Sequence, residues 1–350
     1  MGTGTIEVRE LTKTFKGDVQ AVRGVSFKVE QGEIFAFLGP NGAGKSTTIQ
    51  ILTTLMVPTS GQAFVSGYDV LHEPDKVRLE MGVALQETGV DPVLTGRELL
   101  VMQARLFGMS SREAKVRADE LLEKINLTDA AERRVGKYSG GMRRRLDLAL
   151  SLVHKPHILF LDEPTTGLDP VNRIAIWEEI RELNRSLGTT IFLTTQYLEE
   201  ADQLAERISI IDNGKIVVSG TSESLKRQIG MDVVELRFAS EEETLRAEKA
   251  LAQIGKEHQR HEKQLKLFSE NGAKSLPDIV RALDSEELHA THLTVSPPTL
   301  DDVFIQFTTG PKQDLDLSAK NDTNSSEKAD ANSSEKADTN SSVGQGGERL

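Results

Sequence analysis

The chain has 350 residues, with 42 Lys and Arg against 54 Asp and Glu, for a formal net charge of −12. That balance disfavours nucleic acid as a partner, and the absence of cysteine excludes a disulfide framework and a cysteine metal site. No apolar run approaches the ~18 residues of a membrane-crossing helix, and the opening MGTGTIEV is not a signal peptide. The expectation is a cytoplasmic protein; if it works at a membrane, another chain supplies the spanning part.

In chain order, residues 6–8 and 25–29 alternate apolar and polar residues and read as half-buried strands. Phe15 lies between them. It reads either as a core aromatic or as a platform for a nucleobase, and stacking alone does not separate adenine from guanine. The apolar run 34–38 then leads as a buried strand into Gly39, Pro40, Asn41, Gly42, Ala43, Gly44, Lys45, Ser46 and Thr47. This fits G-x-x-x-x-G-K-[S/T], and a helix is expected from Ser46 to Met56, stopped by Pro58. Such a loop is a phosphate cradle. Its glycines let successive N–H groups face one anion, and the helix N-terminus adds roughly half a positive charge. Lys45 is expected to reach the β- and γ-phosphates, and the Ser46 hydroxyl to ligate Mg²⁺.

Residues 61–66 and 82–85 read as two short strands, the second ending at Gln86, a polar side chain able to reach a metal or a water. Residues 95–155 read as helical. Thr95 caps one helix to Phe107, and Ser110 with Glu113 forms a capping box for the next. Ser139 then caps a third, and Gly140 and Gly141 leave its first amides bare, a second start suited to an anion. The run Arg143, Arg144, Arg145 reads as a solvated or phosphate-facing helix edge. The strand 158–161 ends in Asp162 and Glu163, adjacent carboxylates that are costly to hold at a hydrophobic strand end unless they are used. Beside a phosphate loop their roles follow: Asp162 holds Mg²⁺ and Glu163 polarises the attacking water.

A turn at Gly167 to Asp169 precedes a helix from Pro170 to about Leu187, then a strand 190–194, Gln196, and a helix to Ala205. Asn213-Gly214 joins two strands in a type I′ hairpin, and a last helix runs from Thr221 to Gln228. Residues 231–308 read as a small α+β unit, ferredoxin-like in outline, with strands at 233–238, 265–268 and 293–295 and helices at 241–254, 276–283 and 299–307. His258 with His261, and His289 with His292, do not share a face as an i,i+4 helical pair would. From about Pro311 the chain is low-complexity, with NSSEKADA followed by NSSEKADT, and is expected to be a disordered tail over 309–350.

Taken in order, the phosphate loop, Gln86, Ser139-Gly140-Gly141, Leu161-Asp162-Glu163-Pro164 and Gly167-Leu168-Asp169 resemble the ATP-binding cassette (ABC) transporter ATPases. The resemblance implies an α/β fold: a RecA-like P-loop nucleotide-binding domain over 1–230, with an antiparallel β-subdomain carrying Phe15 and a helical subdomain at about 87–152. It also implies a head-to-tail homodimer, in which Ser139, Gly140 and Gly141 of one subunit cover the ATP held by Lys45 of the other, with Asp169 beside it. Within the family the closest likeness is to bacterial drug-exporter ATPases of the daunorubicin/doxorubicin-resistance type. It is carried by residues 138–149, 194–202 and 298–304 and extends through the C-terminal unit to about 308.

Two departures from the general ABC pattern stand out. Tyr138 and Met142 flank Ser-Gly-Gly where Leu and Gln are usual, and Gln196 replaces the usual His as γ-phosphate sensor. A glutamine amide donates to phosphate but carries no charge near neutral pH, so Glu163 is expected to carry general-base duty alone, with Lys45 and Gln196 assisting. The implied protein is a motor at the cytoplasmic side of a membrane, using ATP and Mg²⁺ to drive a separate permease that exports drugs. Lipid or glycan export is the alternative cargo, and a soluble ATPase acting on ribosomes or DNA the alternative class.

Overall fold

The computed structural model describes residues 5–86, 89–255 and 257–309, so the expected disordered tail lies outside the described residues except for Thr309, which ends a helix. In chain order the elements are β1 (Ile6–Phe15), β2 (Val19–Val29), β3 (Ile34–Leu38), α1 (Lys45–Leu52), β4 (Ser60–Val65), β5 (Tyr68–Asp69), α2 (Pro74–Glu80) and β6 (Met81–Ala84). Then come α3 (Gly96–Leu106), α4 (Ser111–Lys124), α5 (Gly140–Ser151), β7 (Ile158–Asp162), α6 (Pro170–Leu187), β8 (Thr190–Thr195), α7 (Leu198–Leu204), β9 (Arg207–Asp212), β10 (Lys215–Gly220) and α8 (Ser222–Ile229). The C-terminal part holds β11 (Asp232–Arg237), α9 (Glu241–Ala250), β12 (Glu257–His261), β13 (Gln264–Ser269), α10 (Gly272–Ser285), β14 (His292–Ser296) and α11 (Leu300–Thr309).

Among the described residues three sheets organise the chain. The six-stranded sheet has order β10-β9-β3-β8-β7-β6, parallel except for the β9–β10 hairpin. Every residue of β3 is buried, as its unbroken apolar run requires of a central parallel strand. Its alternation splits the interior in two. Ile34, Ala36 and Leu38 face one core with the helices α3 to α7, while Phe35 and Phe37 face another beneath the antiparallel sheet β2-β1-β4-β5. The second core is aromatic. Phe27, Phe35 and Phe192 stack in mutual pairs at 5.5–5.8 Å, and Phe160 meets Phe192 at 5.6 Å. Each such pair contributes on the order of 1 kcal/mol beyond its buried area.

The local signals placed most boundaries. Thr95 and Ser110 form complete capping boxes with Glu98 and Glu113, and Asn213 and Gly214 both have positive φ, as a type I′ hairpin turn demands. Helix α1 is shorter than expected. It ends at Leu52 and not at Met56, because Thr54 takes a left-handed conformation and the amides of Leu55 and Met56 turn back to Gln50 O.

The third sheet has order β12-β13-β11-β14, antiparallel throughout, in the succession β-α-β-β-α-β of a ferredoxin-like unit. Strand β12 escaped the sequence reading because EHQRH has no apolar alternation; it is an edge strand, paired among the described residues only with β13. Helix α10 begins at Gly272, capped by Asn271, and carries Pro277 inside it. Leu300 and Val303 of α11 are buried, and Phe304 and Phe307 pack with them onto the same core as Val218, Leu225 and Ile229. Thus the last helix returns to β10 and α8. His258 bonds Ile254 O at 2.7 Å and His292 bonds Thr294 Oγ1 at 2.7 Å, so both are occupied locally. Among the described residues no helix is long and apolar enough to cross a membrane.

Candidate active site

The phosphate loop is a backbone bowl that no bulkier residue could form. A Cβ on Gly44 would sit 2.4 Å from Ala21 O, and one on Gly39 would sit 2.3 Å from Ile211 O. Gly44 also has φ +107, a conformation that L side chains rarely adopt. The turn between β9 and β10 braces the rim, with Gly214 N donating to Ala43 O at 3.0 Å. Phe15 ends β1, 40% exposed, with Lys13 Nζ 5.4 Å from its ring centroid. It is therefore not a core aromatic.

Lys45 opens α1 and is buried. Its ammonium donates to Gly39 O at 2.7 Å and Pro40 O at 3.1 Å, and lies 3.4 Å from Glu163 Oε1. Burial pulls its pKa below the ordinary lysine value, and the Glu163 and Asp162 carboxylates oppose that shift. The parallel register carries β7 beside β8, so Asp162 faces Thr194. Asp162 Oδ1 accepts from the Thr194 hydroxyl and, at 3.3 Å, from Ser46 Oγ. Glu163 follows with φ 47, an unusual value for a residue with a side chain. Its amide is fixed by Thr194 O at 3.0 Å. Such strain persists only where surrounding bonds enforce it, and it concentrates at functional sites.

Glu163 Oε2 is the meeting point of the site. It accepts from Thr166 Oγ1 at 3.0 Å, Gln86 Nε2 at 3.4 Å and Gln196 Nε2 at 3.5 Å. The structure thus gathers Lys45, Ser46, Gln86, Asp162, Glu163 and Gln196 into one connected set. The signature start stands apart from it. Ser139 is exposed and caps α5 through Met142 N at 3.2 Å, and Gly140 is exposed beside it. A Cβ on Gly141 would lie 2.7 Å from Asn172 Oδ1, the end of a side chain that would have to shift to admit it. Asp169 caps α6 through Asn172 N at 3.0 Å, and that amide bond holds its carboxyl below the usual range. Among the described residues no hydrogen bond joins Ser139, Gly140, Gly141 or Asp169 to the Lys45 set.

Sequence reasoning missed Thr194 and Thr166, whose partners lie far off in the chain or across a turn. It also misread Arg144. Far from a solvated helix edge, this arginine is buried and bonds main-chain oxygens of Leu85, Asp162 and Pro164, while Arg145 pairs with Glu179 at 3.0 Å. The unusual Tyr138 is buried and donates to Ala130 O at 2.7 Å. Its ring is accommodated because residue 96 is glycine, where a Cβ would lie 2.6 Å from the Tyr138 hydroxyl.

Among the described residues no cluster of three or more His, Cys, Asp or Glu can hold a metal. A hydroxyl, a carboxylate and an amide oxygen from Ser46, Asp162 and Gln86 do suit Mg²⁺, which keeps waters and shares its shell with substrate phosphates.

A family model described as ABC transporter matches residues 22–166, and one described as ATP-binding protein DrrA1-3-like, C-terminal domain, matches residues 220–308. The daunorubicin resistance ATP-binding protein DrrA2 of Streptomyces coeruleorubidus is 45% identical over 83% of this chain and 91% of its own. The doxorubicin resistance ATP-binding protein DrrA of Mycobacterium tuberculosis is 42% identical over 89% of this chain and 95% of its own. Among solved structures, the ATP-binding cassette MJ0796 in a dimeric post-hydrolysis state bound to ADP and Pi superposes with a TM-score of 0.57 at 28% identity, covering 62% of this chain and 98% of that one. The chain therefore belongs to the ATP-binding subunits of ABC transporters and resembles the daunorubicin/doxorubicin-resistance type. It is an ATPase of that family.

Proposed function

We propose that this chain is the ATP-hydrolysing motor of a bacterial drug exporter, working as a head-to-tail homodimer on the cytoplasmic face of a separate permease. The observation that carries the reading is the similarity to drug-resistance ATP-binding proteins across both the cassette and the C-terminal unit. The exposed, ligand-ready start of α5, standing apart from Lys45, supports a site completed by a second copy.

In this reading Gly39 to Thr47 cradle the phosphates of ATP, and Lys45 turns from Glu163 toward the β- and γ-phosphates. Phe15 lies beside the base. Ser46, Asp162 and Gln86 hold Mg²⁺, which supplies positive charge against the phosphate oxygens when bound. Glu163, freed from Lys45, takes the proton of the attacking water, and Gln196 donates its amide to the γ-phosphate. Thr194 and Thr166 orient the two carboxylates. Ser139, Gly140 and Gly141 of the partner, with Asp169 at the interface, close the site.

Capture from native membranes tests this. Glu163→Gln protein held with ATP and Mg²⁺ is expected to retain a polytopic membrane protein as its main partner. Retention of ribosomal or DNA-bound proteins instead would overturn the transport reading.

A further inference from the structure

Arginine 144 lies in the first turns of α5, five residues after the Ser139 cap. It is a buried guanidinium that uses its whole fork. Nε donates to Pro164 O at 2.8 Å, Nη2 to Asp162 O at 3.2 Å, and Nη1 to Leu85 O at 2.6 Å and to Asp147 Oδ2 at 3.3 Å. Leu85 immediately precedes Gln86, while Asp162 and Pro164 flank Glu163. A buried charge is retained only when its donors are satisfied. Here three of the four acceptors are main-chain oxygens from two separate segments, and these are the segments that carry Gln86 and Glu163. A planar five-donor fork can serve them at once; a lysine ammonium cannot.

We propose that Arg144 is a positioning residue for hydrolysis. It sets the spacing between the Gln86 and Glu163 segments and ties both to the helix whose start bears Ser139, Gly140 and Gly141. It acts through Gln86 and Glu163, so the inference rests on the proposed roles of those two residues.

The test compares Arg144→Met, Arg144→Lys, Gln86→Ala and the Arg144→Met/Gln86→Ala double variant in the full chain, with Glu163→Gln as control. Steady-state hydrolysis gives kcat, and equilibrium binding gives the Kd for ATP. Arg144→Met is expected to lower kcat at least 10-fold while the Kd stays within 3-fold. Arg144→Lys, which keeps charge and stem, is expected to remain at least 5-fold slow, and it carries the test if the Met variant does not fold. The double variant is expected to be no more than 2-fold slower than the slower single variant, since both act on one element. A wild-type kcat in Arg144→Lys overturns the inference, as do parallel losses of kcat and affinity or multiplicative effects in the double variant. If Glu163→Gln itself hydrolyses at the wild-type rate, the reading of the site fails instead, whatever Arg144 does.

Discussion

Replacing Glu163 by glutamine keeps the side chain's shape and removes its charge, and the proposed role of Glu163 predicts two consequences of opposite sign. Loss of a general base typically lowers the rate ~10²–10⁴-fold, roughly 2.7–5.4 kcal/mol of barrier. Binding moves the other way. Lys45 Nζ lies 3.4 Å from Glu163 Oε1, with the side chains only 4% and 5% exposed. At an effective dielectric near 20 that attraction is roughly 5 kcal/mol, and desolvation of the two ions offsets most of it, leaving on the order of 1–2 kcal/mol. An incoming phosphate competes with Glu163 for the same ammonium. The variant should therefore bind ATP roughly 5–30-fold more tightly. Titration calorimetry with ATP and Mg²⁺, run beside single-turnover hydrolysis, reads both effects. A fall in affinity parallel to the fall in rate would refute the competition. Hydrolysis at the wild-type rate would refute the base assignment.

Gly44→Ala should weaken nucleotide binding at least ~10-fold, since its Cβ would meet Ala21 O at 2.4 Å on a left-handed backbone; fluorescent-nucleotide binding checks this, and an unchanged Kd would contradict it. Thr194→Val removes the hydroxyl that Asp162 accepts from and should lower kcat by roughly 10-fold, about 1–1.5 kcal/mol, with the fold retained by circular dichroism. Glu179 is pushed up to about 7 by burial, opposed by Arg145, and its Oε2 finds no hydrogen-bond partner among the described residues. An acid with a raised folded pKa holds its proton longer when folded. The contribution of Glu179 to stability is therefore fully present below the unfolded value of 4.5 and is lost as pH rises through about 7. Glu179→Gln should gain in melting temperature relative to wild type from pH 5 to pH 8, by at most about 3 kcal/mol equivalent. A difference that stays flat with pH would contradict it.

The phosphate loop was legible because strand, glycines, lysine and helix start are contiguous, and local geometry alone forces a bowl. Asp162 and Glu163 were legible because carboxylates ending a buried strand require a use. Thr194 was not, because its role exists only in the parallel register that sets it against Asp162. Arg144 was misread for a related reason. Three successive arginines look alike in sequence, and only the docking of α5 against β6 and β7 buries one while its neighbours reach other partners. Strand β12 hid because an edge strand needs no apolar face, and the end of α1 hid because Thr54, not Pro58, turns the chain.

In the proposed dimer, two copies complete each ATP site. Sedimentation velocity of Glu163→Gln protein with ATP and Mg²⁺ should show a dimer that dissociates when nucleotide is removed, and the added Ser139→Arg substitution should hold the chain monomeric at the same ATP concentration. A species that remains monomeric at saturating ATP, or a dimer indifferent to both ATP and Ser139→Arg, would contradict it.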